Sequence, residues 1–307
     1  MVIAGGGAWG TAFAGAIGGE LCFWSRNPDS ARAAAEHTGG EWRTELEDAA
    51  ADGDLIVVAV GSGGFESVLR RLARARDRRA APILWLTKGF AGDGRLLCEK
   101  AAEILPPDSC FGALGGPTFA AEVARGLPAA MVIAVNVPAR LPQLREKLHR
   151  KMLRMYPSED LTGVCVAGAL KNVIAVAAGI CDGLGLGANA RAAIVTRGLA
   201  EISAFNRAAG GDSRTLSGVA GIGDLLLTCT SDLSRNRRYG LALAGGRTPP
   251  AETAEGVAAA AAALQRCREM KISAPIIAAT YAVLHEGESP RRAAEMLLSR
   301  PPPECAG

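Results

Sequence analysis

Two side chains are charged where their neighbours are not. Lys171 is the only charged residue in the run Thr162–Cys181, and Gly168, Ala169, Ala175 and Ala178 around it leave room for backbone or a small ligand. A lysine in a helix that is apolar nearly all round needs a partner or a depressed pKa. The plainer alternative is a lysine that snorkels to the surface. Asp224, within Ala220-Gly221-Ile222-Gly223-Asp224-Leu225-Leu226-Leu227, is likewise a lone charge. It could orient Lys171, or it could cap the helix that follows. The stretch Ser234-Arg235-Asn236-Arg237-Arg238-Tyr239-Gly240 supplies a third element. Ser234 as N-cap places Arg235 and Asn236 in a first helical turn, where a cation is disfavoured unless an anion compensates it. Free N–H groups, a guanidinium and an amide together suit a phosphate monoester, with a solvated basic turn as the alternative.

A second group of residues sits near the start of the chain. Gly5-Gly6-Gly7-Ala8-Trp9-Gly10 contains G-x-G-x-x-G as Gly5, Gly7 and Gly10, directly after an apolar strand and before Thr11-Ala12-Phe13-Ala14. That order is the dinucleotide fingerprint: a tight turn, a close approach to pyrophosphate, and helix–strand packing. Ser25-Arg26-Asn27 follows the second strand, where an acidic residue would select NAD. Arg26 instead accommodates a 2′-phosphate, so NADP is favoured and NAD remains possible. Lys88 ends the strand Pro82–Thr87, and Gly115-Gly116-Pro117-Thr118-Phe119-Ala120 ends the next one, with Pro117 suited to the first turn of a helix. Ligands of open α/β sheets gather at such carboxyl ends.

These residues require a scaffold, and the patterning describes one. Strands are expected at Val2-Ile3-Ala4, Glu20–Trp24, Asp54–Val60, Pro82–Thr87, Cys110–Leu114 and Ala129–Val135, separated by helical stretches. Such alternation predicts βαβ units. After about residue 160 the strand signal ends, and helices are expected over Thr162–Cys181, Asn189–Ala209, Ser234–Ala244, Thr253–Lys271, Ala274–His285 and Pro290–Leu298. The fold class is therefore α/β, a Rossmann-type doubly wound and mostly parallel sheet followed by an all-α C-terminal domain. The boundary falls between 158 and 159, giving a dinucleotide-binding domain over 1–158 and a helical substrate domain over 159–307. The tail from Pro301 carries no helical pattern.

Composition narrows the function classes. The 307 residues carry a net charge of +3, too little to argue for nucleic acid or a membrane surface. Arg70, Arg71, Arg74, Arg76, Arg78 and Arg79 form a local basic cluster that reads as a solvated helix face. The 38 Gly exceed the usual share of about 7% and fall where backbone would approach a dinucleotide, a phosphate or another helix. The eight cysteines show no CxxC spacing and there are three His, so neither a metal site nor a disulfide framework is expected. No uninterrupted apolar run reaches a membrane span and no leader pattern opens the chain, which makes the expected compartment the cytoplasm.

Taken together, the motifs resemble the bacterial NAD(P)-dependent glycerol-3-phosphate dehydrogenase family from residue 1 to about 298. The most specific stretches are GGGAWGTA, TKG, GPTFAAEVARGLP, GALKNVIAVAAGICDGLGLGANARAAIVTRGLAE and GVAGIGDLLLTCTSDLSRNRRYG. The resemblance implies reversible reduction of dihydroxyacetone phosphate to sn-glycerol 3-phosphate, with hydride from the nicotinamide to C2 and Lys171 as proton donor or acceptor. It implies that Lys88 contacts cofactor and substrate, that Gly116 and Thr118 line the substrate, and that Asp224, Ser234, Arg235 and Asn236 bind it. Ala120, Arg235 and Glu255 would contact cofactor, while Gly5, Gly7, Ala8, Trp9, Gly10 and Arg26 would form the dinucleotide site. A small-molecule substrate is the implied partner, without nucleic acid or membrane span, and a homodimer is an assembly it allows.

The chain also departs from the family pattern. The segment Asn27–Asp52 is short, Val60-Gly61-Ser62-Gly63 replaces a Val-Pro-Ser-His, and Thr253-Ala254-Glu255-Gly256 replaces a Val-Val-Glu-Gly. Two rival functions follow from these residues. One is a related β-hydroxyacid-type dehydrogenase, opposed by the phosphate-suited turn at Arg235 and Asn236. The other is a non-catalytic NADPH-binding homologue, motivated by the short cofactor side and opposed by the presence of Lys88, Lys171 and Asp224.

Overall fold

The computed structural model describes residues 1–51, 53–75, 81–250 and 254–299. Arg76, Arg78, Arg79, Thr253, Cys305 and the tail from Pro301 lie outside them. The described chain divides into two compact units, Met1–Ala169 with Asn206–Asp224, and Leu170–Phe205 with Leu225–Gly307.

The first unit runs β1 (Val2–Ala4), α1 (Ala8–Ile17), β2 (Cys22–Trp24), α2 (Pro28–Thr38), β3 (Glu41–Trp42), α3 (Leu46–Ala51), β4 (Ile56–Val58) and α4 (Ser62–Ala75). It continues with β5 (Ile83–Trp85), α5 (Leu97–Ile104), β6 (Phe111–Gly115), α6 (Ala120–Ala124), β7 (Ala129–Val135), α7 (Leu141–Leu148) and β8 (Leu153–Ser158). The strands form one sheet in the order β3-β2-β1-β4-β5-β6-β7-β8. All neighbours are parallel except β6 and β7, which pair antiparallel with Ala113 opposite Ala134. The expected mostly parallel, doubly wound sheet is what forms.

Sequence and strand burial agree. β1, β4 and β5 are short β-branched or aromatic runs whose every residue is buried, as strands covered on both faces should be. Ile3, Phe13, Phe23, Val57, Leu84 and Leu114 belong to one core between sheet and helices. Two strands escape the sequence pattern. β3 has only two residues, and β8 alternates buried Leu153 and Met155 with exposed Arg154 and Tyr156, ending in Pro157-Ser158. The chain order reverses beside β1, which pairs with β2 on one side and β4 on the other. That crevice is where this architecture receives ligands.

The basic cluster on α4 behaves as a solvated face where it is described. Arg70 pairs with Glu66 at 2.7 Å, and Arg71 lies 4.9 Å over the Trp24 ring while pairing with Glu45 at 3.0 Å.

The second unit is helical. α8 (Leu161–Gly183) enters it at Leu170, and α9 (Gly187–Ala208) leaves it after Phe205; α10 (Ser213–Leu216) and a π-helical turn at Val219–Gly223 lie in the first unit. α11 (Asp224–Thr230), α12 (Arg235–Ala244), α13 (Glu255–Glu269), α14 (Pro275–His285) and α15 (Pro290–Leu298) complete the chain. α8 is long and apolar enough to cross a membrane by length and composition, yet its most apolar window is wholly buried in protein. It is a core helix.

α8 and α12 meet backbone on backbone. A Cβ on Gly240 would lie 2.2 Å from the Val176 carbonyl oxygen, and one on Gly179 would lie 2.1 Å from that of Arg237. Gly240→Ala should therefore cost about 1–3 kcal/mol through overpacking. A lowered urea midpoint at unchanged slope is the expected result.

A charge network around the buried Lys100 of the first unit gives a pH signature. Lys100 and Arg95 hold the Asp93 carboxyl well below the usual carboxylate range, and Arg95 with Lys100 lowers Glu103. Because these carboxylates are more acidic folded than unfolded, their contribution is present above about pH 4 and fades as pH falls through their lowered folded values. Lys100→Met should flatten the acid limb of a stability–pH profile below about pH 4, read from urea midpoints.

Candidate functional site

The carboxyl ends of the first unit's strands hold most of the residues singled out from the sequence. Gly5 takes φ +139°, and a Cβ there would lie 2.2 Å from the Ala59 carbonyl oxygen. A Cβ on Gly10 would lie 2.3 Å from the Gly5 carbonyl oxygen, so the turn, α1 and β4 close on one another with no side chain between them. Gly7 differs: it is exposed and the space beside its Cα is open. Gly7 is also the N-cap of α1 and no side chain caps it. The first N–H groups of the helix, Ala8 and Trp9 among them, have no carbonyl within the helix to bond. An open cradle over uncapped, positively polarised N–H groups is what a pyrophosphate requires. These residues fit a dinucleotide.

Arg26 follows β2 and is exposed, with its Nη2 3.9 Å from where a Cβ on Gly64 would sit. The guanidinium thus lies beside the first turn of α4, which starts at Ser62. Gly61 and Gly63 leave open space at that helix start.

Lys88 lies three residues beyond the end of β5. Thr87 Oγ1 donates to the Val60 carbonyl oxygen at 2.7 Å, tying the ends of β5 and β4 together just before it. The Lys88 stem passes Gly168, whose Cβ would be 3.5 Å from Cγ. Its ammonium donates to Asp224 Oδ2 at 2.8 Å and to the Gly116 carbonyl oxygen at 3.2 Å. Thr118 Oγ1 donates to the same carbonyl at 3.1 Å. Gly116 holds φ +136° with a Cβ position 2.7 Å from the Ala130 carbonyl oxygen, a conformation and a space that suit glycine alone. Ala120 opens α6, three residues later than the start suggested by Pro117.

Asp224 takes the right-handed helical conformation at the first position of α11 and is 1% exposed. The structure makes it the carboxylate of a buried ion pair with Lys88.

The second unit holds the other group. Lys171 is 7% exposed and donates to Thr228 Oγ1 at 3.1 Å. Next to it, Asn172 Oδ1 accepts from Asn236 Nδ2 at 2.9 Å, and Asn172 Nδ2 donates to Glu255 Oε2 at 3.2 Å. Asn236 Oδ1 in turn accepts from the Gly256 backbone N–H at 2.8 Å. This closed amide relay places Asn236 and Glu255 against the residue that follows Lys171. Ser234 is the N-cap of α12, as its position suggested, and its Oγ accepts from the Arg237 N–H. Arg235 is exposed on the first turn.

Three partners were not singled out in the sequence: Asn172, Thr228 and Asp182, the last pairing with Arg237. Thr228 stands four residues after Asp224 on α11, a spacing that puts both on one helix face and could have identified it. Among the described residues no cluster of His, Cys, Asp or Glu could hold a metal ion.

A doubly wound sheet with a glycine-rich β1–α1 loop, a lysine–aspartate pair at its strand ends and a helical unit carrying a buried lysine defines a dinucleotide-dependent dehydrogenase of Rossmann type. Residues 1–140 match the N-terminal part, and 160–295 the C-terminal part, of the NAD-dependent glycerol-3-phosphate dehydrogenases, and the chain belongs to that family. It is 42% identical, over 99% of its length and 98% of the relative's, to a glycerol-3-phosphate dehydrogenase [NAD(P)+] of Dechloromonas aromatica. A protein of the same name from Nitrosococcus oceani is 45% identical over 84% of this chain and 76% of that one. The crystal structure of glycerol-3-phosphate dehydrogenase from Coxiella burnetii superposes with a TM-score of 0.91 at 34% identity, covering 97% of this chain and 98% of that one. This membership sets the β-hydroxyacid-type alternative aside.

Breaking the Lys88–Asp224 pair from one side should be costly. Asp224→Ala leaves a mostly buried ammonium without its carboxylate and should lose about 3–5 kcal/mol. Adding Lys88→Met to Asp224→Ala should recover part of that loss in urea denaturation, since it removes the uncompensated ammonium.

Proposed function

We propose that the protein reversibly reduces dihydroxyacetone phosphate to sn-glycerol 3-phosphate with NAD(P)H, and so supplies the glycerophospholipid backbone. The observation that carries this reading is the 2.9 Å bond between Asn172 and Asn236. It couples the residue beside the buried lysine to a helix start suited to a phosphate monoester, which is the pairing a phosphorylated ketone requires.

In this reading Ser234, Arg235 and Asn236 hold the phosphate and fix the rest of the substrate by orientation. A dinucleotide would be held at the β1–α1 loop by Gly5, Gly7, Ala8, Trp9 and Gly10, and in its reduced form it would supply the hydride. Lys171 gives its proton to the oxygen on C2 as that oxygen becomes an alkoxide, and takes it back in the oxidation direction. Thr228 Oγ1, by accepting one Lys171 N–H, directs the ammonium. Lys88, fixed by Asp224 and the Gly116 carbonyl, contributes cationic contacts to substrate and cofactor, and Thr118 lines the substrate side. Ala120 and Glu255 contact cofactor.

The dinucleotide-binding domain is assigned to 1–158, and the helical domain that carries Lys171 and the Ser234–Arg235–Asn236 turn to 159–307. NADP is the favoured cofactor because an arginine that follows the second strand, as Arg26 does, accommodates a 2′-phosphate; NAD is the second. The compartment the protein suits is the cytoplasm, and a homodimer is the assembly open to it. The seven described cysteines stand as thiols, which suits a reducing compartment. An apolar groove of about 600 Å³ in the second unit, lined in part by exposed Leu186 and Leu298, offers a surface for a second copy.

Lys171→Ala should lower turnover of dihydroxyacetone phosphate about 10²–10⁴-fold while NADPH binding, followed by fluorescence titration, is kept. Near-normal turnover would remove Lys171 from the chemistry. Arg26→Ala should erode the NADPH preference in kcat/KM with little change for NADH, whereas equal losses with both cofactors would assign Arg26 no part in cofactor choice.

A further inference from the structure

Beneath the phosphate-suited turn of the second unit lies a cluster of charges to which the proposed reaction gives no role. Asp182, at the end of α8, accepts through Oδ2 from Arg237 Nε at 2.8 Å and Nη2 at 2.7 Å, and through Oδ1 from Arg191 Nη1 at 2.9 Å. Arg237 Nη1 also donates to Asp232 Oδ1 at 2.6 Å. The Asp182 and Arg237 side chains are 10% and 9% exposed, whereas that of Asp232 is 95% exposed. Asp182 is therefore the sheltered member that binds two guanidinium groups.

Arg237 and Arg235 share the first turn of α12 but serve different surroundings. Residues two apart on a helix point about 200° apart. Accordingly Arg235 is exposed and Arg237 buried. A first helical turn is a poor place for cations, and this one carries several. Asp182 and Asp232 neutralise Arg237, while Arg235 faces outward. Asp182 also acts on geometry. Asn236 is tied to Asn172, while Arg237 is tied to Asp182 ten residues further along α8, about 15 Å by helical rise. Two consecutive residues of the turn are thus anchored in opposite directions along the helix that carries Lys171.

We propose that Asp182 is a positioning residue for phosphate recognition: by holding Arg237 it sets the orientation of the Ser234–Arg235–Asn236 turn. This rests on the reading that the turn holds the substrate's phosphate. The consequence is selective for substrates that carry a phosphate. A ketone of the same skeleton without one uses Lys171 but not the turn.

The test compares dihydroxyacetone phosphate with dihydroxyacetone in Asp182→Asn, Asp182→Glu and Arg235→Ala. Asp182→Asn should raise KM for the phosphorylated substrate about 10-fold with kcat nearly kept, and leave kcat/KM for dihydroxyacetone within about 2-fold. Asp182→Glu, which keeps the charge but moves the carboxylate, should give a smaller rise, and it carries the same test if Asp182→Asn does not fold. Equal losses for both substrates would mark Asp182 as merely structural, and an unchanged KM would deny it any role. Arg235→Ala separates the two readings. If it leaves KM for dihydroxyacetone phosphate unchanged, the phosphate assignment itself fails; if it raises KM while both Asp182 variants do not, only the role of Asp182 falls.

Discussion

The second unit depends on the approach of α8 to α12 at backbone contact distance. Side chains at Gly179, Gly183 or Gly240 would each strike main-chain atoms of the facing helix. Once the helices are that close, side chains can bridge them: the short Asn172 reaches Asn236 directly, and the Asp182 carboxylate meets a buried Arg237 guanidinium. With longer spacers the same bonds would need flexible side chains and would fix nothing. The apolar surface around them, including Val176, Ile180 and Val283, keeps water from competing for those polar groups. Small residues thus set the distance, and the distance gives the polar pairs their precision.

The first unit solves a different problem, how to leave backbone uncovered where a charged ligand must approach. At Gly5 and Gly10 the missing side chains are filled by neighbouring backbone, whereas at Gly7 the space stays open. Glycine therefore has two uses within six residues, packing and access. Lys88 belongs to the same economy of space. Its stem lies along Gly168, its head is fixed by a buried carboxylate and a carbonyl, and Thr87 locks the strand end that presents it. A cation held this firmly is already oriented before any ligand arrives, which reduces what must be ordered on binding.

Legibility in the sequence followed the strength of local patterns. The strand Ala129–Val135 and the helix Pro290–Leu298 have the bounds their patterns suggest, and the long helices agree within a few residues. β3 is too short to show any period, and β8 alternates around a terminal proline, so neither stands out from loop sequence. Charge isolation singled out Lys171 and Asp224 because a charge among apolar residues is visible in one dimension. Their partners are not visible in that way. Lys88 and Asp224 are 136 positions apart and meet only through the fold. Asn172 and Thr228 carry no charge and blend with their surroundings. Asp182 sits in a glycine-rich helix end where an acidic residue is unremarkable until Arg237 is laid across it.

The departure at Val60-Gly61-Ser62-Gly63 shows how such a site can tolerate change. These residues lead from β4 into α4, and α4 begins at Ser62 with Gly61 and Gly63 facing open space. A side chain lost there removes contacts toward a ligand but supports no neighbour. The backbone course is set from elsewhere: the Val60 carbonyl is held by Thr87 Oγ1, Gly64 N–H bonds the Gly61 carbonyl, and Phe65 is buried against Trp85. The helix start is therefore fixed by its flanks and not by its first residues. Substitution at 61 and 63 need not move Lys88, whose position rests on other bonds. The open positions at 61 and 63 and the bonds that hold Lys88 belong to separate residues, so the first can change while the second are kept.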